Sequence, residues 1–482
     1  SIQFMRLYMT GFERPVVCRM TEFNLIRNQW RKYDPLIFEE GEYQPNDNSF
    51  ISDFNVNSVS LEQSYEKEPV PYRLPPGTIQ ESIFSNSSQA LRQNEQSISL
   101  EVCDLEDGAA NAVFKTERYD MRQFERLQMW LHAEEAIDSP TSLEDGDLSA
   151  VIRIGSDFTQ NYYEYEVPLT VTPEGNYGES TGDRYAIWPQ ANFIDVALDD
   201  LVELKKIRNF TLDSPNFTKP YSRFEEVEVT DSLTGESRKL RRKLTIVGSP
   251  DLGKVTTIML AVRNPKRTDR TLDVDDGLSK CAEVWFNELA LAGFKEEGGY
   301  AALARADIKL ADFGNVTLAG SMHTAGFGTL EQRVVESLQD NLYQYDVTGN
   351  FNLDKFLPKE SGIKIPLYVG YSESVSNPKY DPYNTDVILK EALDSVQLYK
   401  GKESRDSVKR QAQTYTSIKS ANLTNVRKVR TNTEKKPMPW DIENFNLSAS
   451  YTETNFRDPY IEAERERRHR GEIGYAYNAR PN

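Results

Sequence analysis

The sequence predicts an all-β protein in which an antiparallel jelly-roll-like sandwich domain is followed by part of an outer-membrane β-barrel. Three observations carry that prediction. The stretch from Tyr300 to Ser372 alternates apolar and polar residues in runs of about ten, the length at which a tilted strand crosses a bilayer. From Gln96 to Phe294, short strand-like runs recur between clusters of Gly, Pro and Asp, as in sandwiches. No apolar run among the 482 residues approaches the roughly 18 of a membrane helix.

The chain begins at Ser1 with neither an initiator methionine nor a leader pattern, inside what reads as a strand, and is therefore expected to be a piece of a longer protein. Residues 1–33 read as a hairpin around Gly11–Pro15, the last of a preceding sandwich. Residues 34–95, rich in Pro, Asn, Ser and Glu, read as a connector with a short strand at Asn55–Leu61 and a stiff Leu74-Pro75-Pro76-Gly77 turn. Residues 96–298 form the expected sandwich. Its strands fall at Ser97–Val102, Ala112–Phe114, Arg126–Ala133, Leu148–Ile154 and Tyr162–Val171, with a hairpin of Glu225–Thr230 and Arg238–Val247. Phe193–Leu204 reads as an amphipathic helix. Thr256–Val262 and Glu283–Leu291 read as closing strands that repeat the N-terminal hairpin.

Residues 299–482 are the predicted barrel strands. In the first, Tyr300, Ala302, Ala304, Ala306, Ile308 and Leu310 oppose Arg305, Asp307 and Lys309. In another, Tyr343, Tyr345, Val347, Phe351 and Leu353 alternate with Gln344, Asp346, Thr348 and Asn350; in the next, Ile363, Ile365, Leu367, Val369 and Tyr371 oppose Lys364, Tyr368 and Ser372. As barrel strands these place Tyr345, Val347, Phe351, Ile365, Leu367 and Val369 against lipid. Arg305, Asp307, Lys309, Asp346, Thr348 and Asn350 then face the lumen. Tyr343, Tyr345, Tyr368 and Tyr371 are expected near strand ends, as an interfacial girdle. Short and long turns alternate, and the long loop after Glu373 carries helical patterns near Asp386–Val396 and Asp406–Thr416. Weaker strands follow at Ile418–Lys428, Phe445–Tyr451 and Ile473–Tyr477. About seven strands result, an open set that sequence beyond this piece is expected to close.

A net charge of −18 disfavours nucleic-acid binding, which relies on Lys and Arg neutralising phosphates. Cys18, Cys103 and Cys281 have no CxxC pairing and read as buried core residues, one disulfide being the alternative. The chemical motifs fail in context. Gly178-Glu179-Ser180-Thr181-Gly182 fits GxSxG but lies in a polar loop expected to precede a strand, not at a strand-to-helix elbow. Gly248–Lys254 resembles a P-loop, yet Val255 stands where magnesium needs Ser or Thr. Asp273, Asp275, Asp276 and Gly277 begin like a calcium loop whose twelfth position, Val284, cannot ligate. His132, His323 and His469 share no ligand spacing. No catalytic, cofactor or metal site is expected.

Several runs resemble the SprA (Sov) family: Arg6–Phe12, Leu91–Ser97, Tyr119–Gln123, Ala311–Gly320, and Tyr371–Ser374 with Asn377-Pro378. That family is the outer-membrane translocon of the type IX secretion system of Bacteroidota, linked to gliding motility. The resemblance implies a very large single-chain barrel through which folded cargo proteins with C-terminal sorting domains leave the periplasm. It also implies a smaller outer-membrane shuttle barrel and a periplasmic plug protein as partners, with outer-membrane lipid around the barrel, and supplies no catalytic residues. The alternative is a glycan-binding sandwich on an outer-membrane receptor, or a surface adhesin. A soluble sandwich buries each apolar strand face under a second sheet.

Overall fold

The computed structural model describes residues 30–38, 53–78, 82–84, 90–92, 94–137, 139–211, 217–230, 235, 237–266, 276–329, 331–332, 336–431 and 437–478. The hairpin expected within residues 1–33 lies almost wholly outside them. The described chain is dominated by antiparallel strands, as expected.

The first part contains β1 (Arg31–Phe38), β2 (Asp53–Ser60), β3 (Ser82–Phe84), β4 (Ala90–Arg92), β5 (Gln96–Leu105), β6 (Ala109–Tyr119) and β7 (Phe124–Glu135). It continues with β8 (Ser149–Gly155), β9 (Tyr162–Pro168), α1 (Thr181–Ile187), β10 (Ile194–Ala197) and α2 (Leu198–Thr211). It ends with β11 (Tyr221–Thr230), β12 (Ser237–Val247), β13 (Val255–Arg263) and β14 (Lys280–Phe294). Seven strands form one sheet in the order β1-β6-β13-β8-β9-β12-β11, and five form another, β10-β7-β14-β5-β2. β3 and β4 pair as a separate ribbon. The two large sheets share one core: Ile152, Tyr163, Leu244 and Leu260 from the first meet Leu100, Met129, Leu131 and Val284 from the second. The period-two sequence drives this arrangement, because each strand can bury one face only against an opposing sheet.

Several elements differ from the sequence expectation. Part of the predicted connector joins the sandwich: β2 pairs along β5 as the edge strand of the five-stranded sheet and buries Phe54 and Val59. The predicted helix at Phe193–Leu204 begins instead as β10, because Ile194 and Val196 alternate into the core while the backbone pairs with β7. The helix starts only at Leu198, with Asp199 and Asp200 in its first turn, where the helix dipole favours acid. The predicted closing hairpin is an arch. β13 lies between β6 and β8 in one sheet, and β14 between β5 and β7 in the other. Cys103 and Cys281 are joined in a disulfide rather than being separate core thiols. A register shift between Lys280 and Ala282 sets Cys281 against Cys103 on the neighbouring strand.

A charged cluster is buried on the face of β8, β9 and β13 turned away from the shared core. Arg153 donates to Glu164 Oε2 (Nε 2.9 Å), and Arg263 Nη1 reaches Glu164 Oε1 (3.0 Å) and Glu166 Oε2 (2.7 Å). Burial raises the Glu164 carboxyl, but Arg263 and Arg153 outweigh it and hold it at about 2.

The second part contains β15 (Ala301–Leu310), β16 (Gly314–His323), β17 (Asp340–Asn352), β18 (Ile363–Lys364), β19 (Pro366–Pro378), β20 (Tyr380–Asp381) and β21 (Asn384–Ile388). Then follow α3 (Leu389–Lys400), α4 (Lys402–Ala412), β22 (Thr414–Lys428), β23 (Phe445–Arg457) and β24 (Glu464–Tyr475). Seven long strands pair in the order β15-β16-β17-β19-β22-β23-β24, with β18 alongside β22. Among the described residues, β15 and β24 are the open edges. The β15–β16 turn is tight: Ala311 takes positive φ, and a Cβ on Gly314 would stand 2.3 Å from the Asn350 carbonyl oxygen.

Candidate functional site

Register across the second sheet sorts its residues into two faces. Val347 pairs with Leu318 on one side and Tyr371 on the other, and Leu318 pairs with Ala306. The same face carries Ile308, Val316, Phe351, Leu367, Val369, Ala421, Leu423, Ala449 and Leu447. The opposite face is polar almost throughout. Thr348 pairs with Thr317, Asp346 with Ser372, and Asn350 with Asn315; Thr416, Ser420, Thr452 and Thr454 continue it.

The expected residues fall accordingly. Tyr345, Val347, Phe351, Leu367 and Val369 share the apolar face, whereas Arg305, Asp307, Lys309, Asp346, Thr348 and Asn350 share the polar one. Ile365 lies in the break between β18 and β19, where its carbonyl accepts Leu353 N–H (2.9 Å). On the polar face, Asp307 binds Arg305 (3.0 Å) and Thr317 (2.7 Å), and His323 meets Asp340 (3.2 Å). Tyr345 and Tyr371 are not at strand ends. Both stand well within their strands and donate their hydroxyls to Glu373 on the apolar face. Aromatic residues do gather at the end of the sheet near the Asp312 turn. Phe313 lies 5.5 Å from Phe351 and 5.1 Å from Phe356, and Phe445 lies 5.1 Å from Tyr475.

Large apolar side chains are left uncovered on this face: Leu318, Val347, Leu447 and Ile473 are all exposed. In the sandwich the equivalent strand faces are buried. No described helix is long and apolar enough to cross a membrane.

The insertion between β19 and β22 docks on the sandwich, a feature the sequence did not indicate. Asp386, on β21, is buried and receives Lys205 Nζ of α2 (2.8 Å) and the Tyr163 hydroxyl of β9 (2.7 Å). Lys205 also donates to the Pro250 carbonyl (2.8 Å). Burial, and then the Asp386 carboxylate, keep the Tyr163 hydroxyl protonated well above its usual range. Val387 and Ala392 enter the sandwich core directly. Around them Arg122 donates to the Thr385 carbonyl (2.9 Å) and covers the Tyr380 ring (4.4 Å), and Lys379 binds Glu297 (2.6 Å). Asp386 lies 181 residues from Lys205 and 223 from Tyr163, and only an acidic residue directly before the apolar Val387-Ile388 pair marked it locally.

Several residues of the motifs weighed for chemistry take part in local structure. Ser180 caps α1, a helix where a strand was expected; its Oγ accepts Asp183 N–H (3.1 Å) and donates to the Asp183 carboxylate (2.6 Å). His132 is buried, stacked 3.9 Å from Trp285 with Nδ1 2.7 Å from the Ile187 carbonyl. Asp273 and Asp275 lie outside the described residues, and Asp276 holds Lys280 (2.7 Å).

The model of the SprA_N family, described as motility related/secretion protein, matches residues 1–393. The chain belongs to this family. The SprA_N match takes in the whole sandwich, the first four long strands of the second sheet, and the insertion as far as α3. A comparison with curated proteins finds no match. Two of the runs resembling the family have identifiable structural work. Arg122 of Tyr119–Gln123 ties the sandwich to Thr385 while Met121 N–H bonds the Leu252 carbonyl, and Ala311–Gly320 builds the tight β15–β16 turn and most of β16.

Proposed function

We propose that this chain is a segment of an outer-membrane protein-conducting channel that exports folded cargo proteins, in type IX secretion and gliding motility. The observation that carries the reading is the second sheet: seven long antiparallel strands with one uncovered apolar face and one Ser/Thr/Asn-rich face. This is the partition a barrel wall needs, because lipid solvates only the first and a hydrated lumen only the second. Membership of a motility and secretion family supports it. So does the Cys103–Cys281 bond, since structural disulfides persist in oxidising compartments such as the periplasm and the cell surface.

On this reading Tyr345, Val347, Phe351, Ile365, Leu367 and Val369 meet lipid. Arg305, Asp307, Lys309, Asp346, Thr348 and Asn350 line the passage, and the sandwich is an aqueous domain held at one end. The partners are cargo proteins with C-terminal sorting domains, a smaller shuttle barrel and a periplasmic plug. The protein performs no catalytic step. The test is fractionation and export in cells carrying the full-length protein. It is expected to stay with outer membranes after a carbonate wash, and its depletion is expected to trap sorting-domain cargo in the periplasm. Release by carbonate, or export continuing after depletion, refutes the reading.

A further inference from the structure

Three tyrosines on the apolar face each end at the first charged residue. Tyr345 on β17 and Tyr371 on β19 donate to Glu373, and Tyr451 on β23 donates to Glu453 (2.6 Å). Ring toward the apolar side, hydroxyl toward charge, is how such side chains sit at a bilayer interface. They do not share a register row. Tyr451 pairs with Ala421, Ala421 with Val369, and Val369 with Gly349, four residues along β17 from Tyr345.

The other aromatic border is displaced by the same amount. Ala449 aligns through Leu423 and Leu367 with Phe351, yet the border ring on β23 is Phe445, four residues farther on and packed against Tyr475. The interval between the carboxylate-bonded tyrosine and the border ring is therefore the same on both strands, Tyr345 to Phe351 on β17 and Tyr451 to Phe445 on β23, while it slides along the strands. A slide of four residues at about 3.3 Å each, across three strand spacings of about 4.8 Å, is a slope of about 40°. Membrane barrel strands tilt by roughly 35–45°.

We propose that the bilayer cuts this sheet obliquely, so that within one register row Val347 lies in hydrocarbon while Lys419, Glu453 and Arg467 lie outside it, at headgroup level. The row is continuous: Val347 pairs with Tyr371, Tyr371 with Lys419, Lys419 with Glu453, and Glu453 with Arg467. A bilayer parallel to the row cannot cover Val347 without also covering the three charged residues. The oblique line also accounts for the ion pairs on the outward face of β24, where Arg465 (2.8 Å) and Arg467 (3.0 Å) bind Glu453. They lie just beyond the Tyr451 hydroxyl. The proposal rests on the reading of the sheet as membrane-spanning.

The test uses single cysteines in the full-length protein, in a background with Cys18→Ser and every other free thiol of the full chain replaced, in outer-membrane vesicles. The probes are a charged water-soluble maleimide and a lipid-soluble one. Val347→Cys, Leu367→Cys and Ala449→Cys are expected to lose aqueous labelling and keep lipid-probe labelling, whereas Lys419→Cys and Arg467→Cys label fully from water. Two charged positions are used because Arg467→Cys removes an ion pair and Lys419→Cys leaves that pair intact. Protection at 419 and 467 equal to that at 347 overturns the oblique boundary and leaves the membrane reading standing. Aqueous labelling at 347, 367 and 449 alike overturns both.

Discussion

Asp386→Ala isolates what holds the insertion to the sandwich. The substitution removes the only carboxylate described beside Lys205 Nζ, leaves that buried ammonium with the Pro250 carbonyl, and takes the acceptor from the Tyr163 hydroxyl. Breaking a buried pair from one side costs about 3–5 kcal/mol, mostly through the charge left behind. At about 1.4 kcal/mol per tenfold, that raises the undocked population by roughly two to three and a half orders of magnitude. Undocking frees α3 and α4, which carry Lys390, Lys400, Lys402, Arg405, Lys409 and Arg410 as trypsin sites. Where reclosing is fast, cleavage follows the open population, so trypsin cleavage between 390 and 410 is expected to accelerate by that factor in detergent-solubilised full-length protein. Lys205→Met combined with Asp386→Leu removes both charges and is expected to restore most of the protection. An unchanged rate in Asp386→Ala refutes the docking argument. A double variant as sensitive as the single one shows that packing, not the unpaired lysine, is responsible.

Three further outcomes are expected. Val347→Arg places a charge on the apolar face and should cost roughly 2–4 kcal/mol near mid-bilayer, lowering the folded barrel recovered from membranes, while Thr348→Arg inserts nearly normally; equal recovery contradicts the face assignment. Glu164 has a depressed carboxyl, so its contribution is complete above the unfolded value of 4.5 and is lost as pH falls toward about 2. Its loss should make acid melting of the sandwich steeper than in Glu164→Gln, and parallel acid profiles rule this out. Joining residues 178 apart constrains the unfolded chain by up to about 5 kcal/mol on chain-entropy grounds. Cys103→Ser with Cys281→Ser should therefore lower the sandwich melting temperature, read by tryptophan fluorescence, and an unchanged temperature counts against the bond.

The strands legible in the sequence are those with one wet and one apolar face. β15, β17 and β19 show this in single residues, and β11 with β12 shows it as a hairpin. β24 did not, because Glu464 to Arg470 are charged or His at every position and carry no period; only its end at Ile473 and Tyr475 was visible. β10 was hidden by the helix it runs into, since Ile194, Ala197, Leu198 and Leu201 fit a helical stripe until the β7 backbone claims the first of them. The disulfide depended on a bulge that no local pattern announces. The apolar-face alternation was readable strand by strand, but the positions of Lys419 and Glu453 in the same row as Val347 emerge only from register.

Among the described residues, the sandwich is joined to the second sheet twice. Covalently, β14 runs through Phe294–Tyr300 into the edge strand β15; non-covalently, the insertion between β19 and β22 docks through Asp386, and the Lys379–Glu297 bond stitches the two crossings together. The anchor strands β15 and β19 are three spacings apart, about 14 Å. A body on one strap swivels and passes on only tension. Held at two points, it has a lever arm, so torque on the sandwich becomes shear between β15 and β19, through the hydrogen bonds of β16 and β17 that lie between them.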